Sequence, residues 1–313
     1  MTQARRWVAK DFGGPEVLVE IAVELPAPAP GEATVEVRAA GMNPADYKHF
    51  EPGQDPKLLP LSIGYEVAGV IVGLGPDTEI ASGGGAAGDE VVVFQIFDGY
   101  SSVLNAPAAD VFAKPSTLSF PEAANLLLVG TTAAEALHVI GLSAGETVLV
   151  HGAAGAVGTS AVQQARLLGA TVIGTASERD LEAVRGFGAT PVRFGPGLED
   201  RVRETAAGGV DAAVDTAGVD EAIDVSLALV SDRRRIVSTA AFGRASRDGF
   251  QTIGAANPDS GPFRAAARRA ILDLAAQGKL TVPIGATFSL SDAPRAVEAL
   301  AGPHPYGKLA LVP

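Results

Sequence analysis

The segment VLVHGAAGAVG at residues 148–158 decides the fold class. Its apolar, β-branched first half predicts a buried strand, and an apolar-faced helix is predicted over residues 156–168. Gly152, Gly155 and Gly158 lie between these elements. Glycine there permits a sharp turn, close approach of the backbone to a pyrophosphate, and tight packing of the helix on the strand. The segment predicts a nucleotide-binding turn, and the alternative is an ordinary tight turn, because the GxxGxxG spacing alone is a weak signal.

Strands and helices alternate from this turn towards the carboxyl terminus. The predicted strands are residues 147–151, 171–175, 192–194, 210–215 and 235–239, and the predicted helices are residues 178–187, 198–207 and 221–229. Right-handed crossovers between consecutive strands place those strands in parallel. The alternation therefore predicts an α/β fold with a doubly wound parallel sheet of the Rossmann type.

The regions on either side of this alternation have sequence patterns typical of strands. Strand patterns occupy much of the first third and return in the tail, which predicts a compact β-barrel or sandwich interrupted by the doubly wound sheet. A long helix is predicted over residues 263–277, and residues 244–262 are polar and irregular. The predicted domains are residues 1–118, residues 119–280, and residues 281–313 as the carboxyl-terminal part of the first domain.

Composition excludes several classes of chemistry. The 313 residues include no cysteine and only four histidines, so disulfides, cysteine-bound zinc, iron–sulfur clusters and thiol nucleophiles are excluded. The net charge of −12 disfavours nucleic-acid binding and attachment to anionic membranes. No apolar run is long enough for a membrane span or a signal peptide. We expect a cytoplasmic protein with no bound metal.

The end of the second predicted strand bears on the choice of nucleotide. An NAD site usually places a carboxylate there for the ribose 2′-hydroxyl, whereas a 2′-phosphate requires a hydroxyl or a cation. Ala176 stands at the expected acidic position, and Ser177 and Arg179 offer the hydroxyl and the guanidinium. The pattern predicts NADPH. Two alternatives stay open: Ser177 could only cap the next helix, and Glu178 could restore a preference for NAD.

Several segments together resemble the medium-chain dehydrogenase/reductase superfamily, and within it the zinc-free quinone oxidoreductases related to zeta-crystallin. The resemblance is collinear over nearly the whole chain. Its segments are AGMNPADY at 40–47, IGYEVAGVI at 63–71, GDEV at 88–91, GTTAAEAL at 130–137, HGAAGAVG at 151–158, APRAVEAL at 293–300 and GKL at 307–309. The resemblance implies a Rossmann sheet inserted into a GroES-like β-barrel domain, and a homodimer.

The resemblance also gives the missing cysteines a meaning. The alcohol dehydrogenases of the superfamily bind zinc at positions that correspond to Asn43, Tyr65 and Leu128, and none of these three residues is a usual zinc ligand. The resemblance therefore implies a metal-free member. Without a Lewis acid, hydride transfer to a conjugated carbonyl is easier than simple alcohol oxidation, because the substrate is its own electron sink.

Site residues are also implied by the resemblance. The turn residues Gly155, Ala156 and Val157 correspond to the pyrophosphate site, beside Gly152 and Gly158. Further cofactor-binding residues are Thr132, Ser177, Arg179, Ala240 and Phe242, and the substrate pocket is expected to include Tyr65 and Phe242. One departure weakens NADPH, because Phe194 stands where the family often has a tyrosine near the 2′-phosphate.

Tyr47 and Asn43 are the candidate catalytic residues. The Tyr47 phenol could donate a hydrogen bond to a developing oxyanion, or it could be a packed aromatic. Asn43 is expected to orient the cofactor. The resulting prediction is an NADPH-dependent reductase of quinones or other α,β-unsaturated carbonyls. The alternatives are an enoyl-thioester reductase and a non-catalytic NADPH-binding protein.

Overall fold

The computed structural model describes residues 2–53, 55–254 and 257–313. The chain forms two compact units, which we call the split unit (residues 1–128 and 275–313) and the central unit (residues 129–274). The boundaries drawn from the sequence lie at 118/119 and 280/281, whereas those of the structure lie at 128/129 and 274/275. Both structural boundaries fall inside helices. No change between strand-like and helix-like sequence patterns marks such positions.

The first part of the split unit is mostly strand. Its strands are β1 (Thr2–Ala9), β2 (Leu18–Leu25), β3 (Glu32–Gly41), β4 (Leu61–Ser62), β5 (Glu66–Leu74), β6 (Glu90–Phe94), β7 (Val103–Pro107) and β8 (Val111–Ala113). Its helices are α1 (Pro44–Lys48) and α2 (Phe120–Ala123). Ser119 precedes α2, and the Ser119 amide donates to the Glu122 carboxylate at 2.8 Å in a capping arrangement.

The central unit alternates strands and helices. Its strands are β9 (Thr147–His151), β10 (Thr171–Ala176), β11 (Thr190–Arg193), β12 (Ala212–Asp215), β13 (Ile236–Ser238) and β14 (Gln251–Thr252). Its helices are α3 (Leu127–Val139), α4 (Ala156–Leu167), α5 (Leu181–Gly186), α6 (Leu198–Thr205), α7 (Asp220–Leu229), α8 (Phe242–Asp248) and α9 (Ser260–Ala276), and the boundaries between the units fall within α3 and α9.

The sheet of the central unit has the order β11-β10-β9-β12-β13-β14, and all of its pairs are parallel. The doubly wound sheet predicted from the sequence is thereby confirmed. The chain starts at β9, builds outwards to β11, and then returns to place β12 on the other side of β9. Ligands of such sheets bind beyond the carboxyl ends of the strands, where this reversal opens a crevice.

Two local predictions in the central unit are corrected. The helix predicted over residues 178–187 is a 3₁₀ turn at Glu178–Asp180 followed by the shorter α5. The stretch 244–262 is not irregular throughout, because α8 and the sixth strand β14 lie in it and α9 begins at Ser260. Positions 255 and 256 of that stretch lie outside the described residues. Short elements of this kind lack enough periodicity to be seen in the sequence.

The tail completes the split unit with β15 (Ile284–Ser289), α10 (Ala293–Ala301) and β16 (Lys308–Val312). One sheet has the order β15-β16-β3-β5-β6-β8, with β7 paired to β3, and a smaller sheet has the order β2-β1-β4. Buried aliphatic side chains of both sheets form one core with α10. In the part of the chain that the structure describes, no helix is long and apolar enough to cross a membrane.

Candidate functional site

A cavity of about 750 Å³ opens beside the carboxyl ends of β9 and β10 in the central unit. Four residues predicted from the sequence to bind the cofactor line it: Gly152, Gly155, Ser177 and Arg179. Apolar side chains such as Phe194 and Leu198 form much of the remaining wall. The cavity therefore lies where the chain order of the sheet reverses, as expected for a ligand site of a doubly wound fold.

The glycines of the turn are required by close backbone contacts. Gly152 has a φ of +69°, and a Cβ atom there would lie 2.7 Å from the Thr216 Oγ1 atom. A Cβ atom on Gly158 would lie 2.1 Å from the carbonyl oxygen of Gly152. Any side chain at either position would displace the turn, since such separations are well below van der Waals contact.

The turn places the amino terminus of α4 beside the cavity, whose lining includes the N-cap residue Gly155. Gly155 is the N-cap residue and supplies no side chain to cap the first turn. The first intrahelical bond runs from the Thr159 amide to the Gly155 carbonyl at 2.7 Å, so the amides of Ala156, Val157 and Gly158 have no helical acceptor. These amides and the positive end of the helix dipole fit the pyrophosphate of a dinucleotide.

His151 lies at the end of β9 and lines the cavity. Its side chain is buried, and its Nδ1 atom lies 3.2 Å from the Thr175 hydroxyl. Its Nε2 atom has no hydrogen-bond partner among the described residues. Burial lowers the pKa of His151 to about 4, although Asp215 opposes the shift. The imidazole is therefore neutral near pH 7, and its Nε2 atom is enclosed by protein rather than exposed to the cavity.

Asp215 at the end of β12 fixes the neighbouring loop. Its carboxylate accepts hydrogen bonds from the Ala217 amide at 2.9 Å and from the Ser238 hydroxyl at 2.6 Å. Ala217 and Val219 of that loop line the cavity. Asp215 was not predicted from the sequence, and the only signal for it is a carboxylate at the end of an apolar strand.

The end of the cavity nearest β10 is polar. The Ser177 hydroxyl donates to the Asp180 Oδ2 atom at 2.6 Å, and the Arg179 Nε atom donates to the same oxygen at 3.2 Å. Glu178 lies 3.8 Å from the Arg193 guanidinium. The two groups predicted to bind a 2′-phosphate are therefore brought together, and a carboxylate that was not singled out from the sequence holds both.

Other predicted cofactor residues of the central unit are not among the residues that line this cavity. Thr132 is buried on α3. The Ala240 amide donates to the Ser238 hydroxyl at 3.1 Å in the segment after β13. Phe242 is the first residue of α8 and is 51% exposed. Their assignment to the cofactor stays a prediction.

Asn43, a candidate catalytic residue, belongs to a buried polar cluster in the split unit. Its Nδ2 atom donates to Glu66 Oε1 at 3.0 Å, and its Oδ1 atom accepts from the Lys308 ammonium at 2.5 Å. The Asn43 backbone amide donates to Asp46 at 2.7 Å and so fixes the start of α1. These contacts give Asn43 a positioning role that the sequence did not predict.

The charged members of this cluster have shifted pKa values because they are buried. Burial raises the pKa of Asp46 to about 7, against the opposing hydrogen bonds from the Asn43 amide and the Tyr100 hydroxyl. Burial likewise raises the pKa of Glu66 and lowers that of Lys308, and the attraction between these two residues opposes both shifts. The Asp46 Oδ1 atom has no hydrogen-bond partner among the residues that the structure describes.

The two predicted phenols of the split unit have different surroundings. Tyr47 lies on α1, is half-buried and packs against the core of the split unit. The Tyr65 hydroxyl is hydrogen-bonded to His49, whose Nδ1 atom lies 3.0 Å away, and its ring makes an edge contact with Phe97. Burial, and then the nearby Asp46 carboxylate, raises the pKa of Tyr65, so the phenol stays protonated near neutral pH.

The residues at the positions that the resemblance assigns to zinc do not fit a zinc ion. The Asn43 side-chain oxygen already accepts a hydrogen bond from the cationic Lys308, and a nearby ammonium disfavours a second cation. Leu128 contributes its amide, which donates to Glu66 at 2.9 Å. Across residues 2–53, 55–254 and 257–313, no group of three or more histidine, aspartate or glutamate side chains could hold a metal ion.

Two protein families match the chain. Residues 29–116 match the family described as the alcohol dehydrogenase GroES-like domain. Residues 156–256 match the family described as zinc-binding dehydrogenase. The first match lies in the split unit and the second in the central unit.

Individual proteins are similar over longer stretches. One similar structure is the crystal structure of the Escherichia coli quinone oxidoreductase complexed with NADPH. The two sequences are 28% identical, and the TM-score is 0.83 over 99% of this chain and all of that one. The chain is 35% identical to the 2-methylene-furan-3-one reductase of Solanum lycopersicum over 60% of its own length and 51% of that protein. It is 34% identical to the spectinabilin polyketide synthase system protein NorB of Streptomyces orinoci over 98% of its own length, and it spans 14% of that protein.

Proposed function

The chain belongs to the medium-chain dehydrogenase/reductase superfamily, in its quinone oxidoreductase branch, and from this premise we propose an NADPH-dependent reductase of quinones or other α,β-unsaturated carbonyls. The observation that carries the proposal is the cavity at the glycine turn, beside which the amino terminus of α4 lies. A dinucleotide offers the phosphates that the first amides of α4 would bind.

The proposed acceptor follows from the relatives and from the chemistry of the split unit. Similar proteins are named for a quinone and for a methylene-furanone, and both substrates carry a carbonyl in conjugation with a carbon–carbon double bond. Asn43, Tyr65 and Leu128 supply no zinc site that could polarise an isolated carbonyl or alcohol. We therefore propose zinc-independent transfer of hydride to an acceptor whose own conjugation stabilises the developing charge.

The residues have distinct proposed roles. When bound, the reduced nicotinamide supplies the hydride. The amides of Ala156, Val157 and Gly158 hold the pyrophosphate, and Ser177 with Arg179 meets the 2′-phosphate. The Tyr47 hydroxyl, or water, donates the proton that the reduced oxygen requires. Asn43 is the N-cap residue of α1, the helix that carries Tyr47. By fixing the start of this helix, Asn43 keeps Tyr47 in place.

Oxidation of NADPH in the presence of a panel of quinones and enones tests the proposal. We expect turnover with at least one member of the panel, and the rate should be unchanged after dialysis against a zinc chelator. Binding of NADPH without turnover on any acceptor would overturn the reductase and favour a non-catalytic NADPH-binding protein. Loss of activity on chelation would contradict zinc-independent chemistry.

An enoyl-thioester reductase is the second candidate. The similarity to a polyketide synthase system protein over 98% of this chain favours it. Reduction of an unsaturated thioester is the same hydride transfer with a different carbonyl substituent. A higher kcat/KM with crotonyl-CoA than with any simple enone or quinone would select this candidate.

The homodimer and the cytoplasmic location are parts of the same proposal. The small-molecule acceptor is the proposed partner. Size-exclusion chromatography with light scattering tests the dimer, and a molar mass near the 31.7 kDa of one chain would contradict it.

A further inference from the structure

We propose that Asp180 weakens the preference for NADPH that Ser177 and Arg179 confer, so that NADH also binds in the cavity. The inference rests on the proposed function, because it assumes a nicotinamide dinucleotide in the cavity of the central unit. Asp180 lines that cavity together with Ser177 and Arg179. It is the residue that connects the two groups assigned to the 2′-phosphate.

The contacts of Asp180 carry the first step. Its Oδ2 atom accepts both the Ser177 hydroxyl at 2.6 Å and the Arg179 Nε atom at 3.2 Å. A 2′-phosphate would need the same two donors. It would therefore have to displace a carboxylate whose side chain is only 16% exposed, while Arg179 itself is 70% exposed.

The charge of the side chains that line the cavity around Asp180 is the second argument. Among the described residues that line the cavity, Glu178, Asp180 and Glu221 bring carboxylates, and Arg179 is the one lysine or arginine. A phosphate dianion is repelled by carboxylates at short range, whereas a ribose 2′-hydroxyl donates a hydrogen bond to a carboxylate. The carboxylates therefore reduce the advantage that Ser177 and Arg179 give to NADPH, and the same surface also accommodates NADH.

The position of Asp180 at the start of α5 provides the third step. Asp180 is the N-cap residue of α5, yet its side chain makes no capping hydrogen bond. The carboxylate is thus directed to Ser177 and Arg179 rather than to the helix amides. Its removal should change the cavity wall with little effect on the helix, because the capping interaction is absent to begin with.

Equilibrium binding of 2′,5′-ADP and 5′-AMP tests the inference without catalysis. For the wild-type protein we expect dissociation constants within about tenfold of each other, measured by titration calorimetry. Asp180→Asn should tighten 2′,5′-ADP by about tenfold and leave 5′-AMP unchanged or weaker, because one repulsive charge is removed. Adding Arg179→Ala to Asp180→Asn should abolish the gain, since no cation then remains in the wall.

Glu182→Gln is the matched control. Glu182 is an exposed carboxylate on α5 that pairs with Arg185 and does not line the cavity. This variant removes the same charge and should leave the ratio of the two dissociation constants unchanged. Asp180→Ser serves as a second variant if Asp180→Asn does not fold.

The outcomes separate the inference from the proposed function. An unchanged ratio in both Asp180 variants would overturn the inference and leave the reductase standing. A wild-type protein that binds 2′,5′-ADP more than about tenfold tighter than 5′-AMP would also overturn it. Failure of the wild-type protein to bind NADH, NADPH and both adenosine nucleotides would overturn the proposed function, and the inference with it.

Discussion

The two units treat their buried polar groups in opposite ways. In the split unit, Asp46, Glu66 and Lys308 are buried together with Asn43, and most of their polar atoms bind one another. In the central unit, the Nε2 atom of His151 has no partner among the described residues, and the first amides of α4 have no helical acceptor. Most polar atoms of the split-unit cluster are paired inside its core, whereas the amino terminus of α4 in the central unit lies beside a cavity.

This difference separates structure from binding. Buried polar groups are normally satisfied, so a closed network mainly fixes the geometry of the chain around it. Donors left unpaired at a cavity point to a ligand that completes them. Asn43 was predicted as a catalytic residue because of its place in a motif; its contacts place it in the closed network, and its catalytic role stays a prediction.

Loss of Lys308 should have the largest effect. Lys308→Met removes the buried ammonium that attracts Glu66 and Asp46 and that donates to Asn43, and an uncompensated buried charge costs about 3–5 kcal/mol. We expect the free energy of unfolding in urea to fall by that amount. Lys48→Met, which removes an exposed lysine at the end of α1, is the control and should change it by less than about 0.5 kcal/mol. Equal effects in the two variants would show that the cluster is not held by Lys308.

Asp46→Asn should change how stability depends on pH. The pKa of Asp46 is raised to about 7 in the folded protein, so the folded state binds a proton that the unfolded state releases near pH 4. The contribution of Asp46 to stability therefore falls as pH rises from about 4 to 7, by up to about 4 kcal/mol. Asp46→Asn should remove this loss, seen as a smaller drop in unfolding free energy between pH 5 and pH 8. An unchanged pH profile would contradict the prediction.

His151→Gln should have the opposite signature. The pKa of His151 is lowered to about 4 in the folded protein, so the unfolded state binds a proton first as the pH falls. Stability is therefore lost as pH falls from about 6.5 to 4, by up to about 3 kcal/mol, and His151→Gln should flatten this acid limb. His304→Gln, on the half-buried segment before β16, is the control. The prediction would be contradicted if stability still fell steeply at acid pH in His151→Gln but not in His304→Gln. The proton uptake would then belong to His304 in the split unit.

Gly158→Ala should disturb the cavity more than the fold. Its Cβ atom would lie 2.1 Å from the Gly152 carbonyl oxygen, and such overpacking costs about 1–3 kcal/mol. We expect NADPH to bind at least about tenfold more weakly, because the amides of the first turn of α4 must shift. Gly186→Ala is the control, since no atom lies within 4 Å of a Cβ placed there. An unchanged affinity of Gly158→Ala for NADPH would show that the turn is not part of the cofactor site.

The sequence was most informative where the signal is local. The glycine turn, β9 and α4 could be predicted because strand, turn and helix lie within one short segment. The closed network could not, because Lys308 is 265 positions from Asn43 and nothing in the sequence shows that the fold joins them. The contacts of Asp180 were missed for a different reason. A capping residue and a ligand-binding residue look alike in a sequence, and only the direction of the side chain separates them.

Tyr47→Phe should have the smallest effect and addresses the part of the split unit that could still take part in chemistry. Tyr47 is half-buried, whereas the Tyr65 hydroxyl is already hydrogen-bonded to His49. We therefore expect Tyr47→Phe to lower kcat by about tenfold, since water can replace one hydrogen-bond donor at a cost near 1.4 kcal/mol. Tyr65→Phe should alter KM and leave kcat within about twofold, because its phenol is committed to the imidazole. A larger loss of kcat in Tyr65→Phe than in Tyr47→Phe would make Tyr65 the proton donor. An equal kcat in the wild type and both variants would show that water donates the proton.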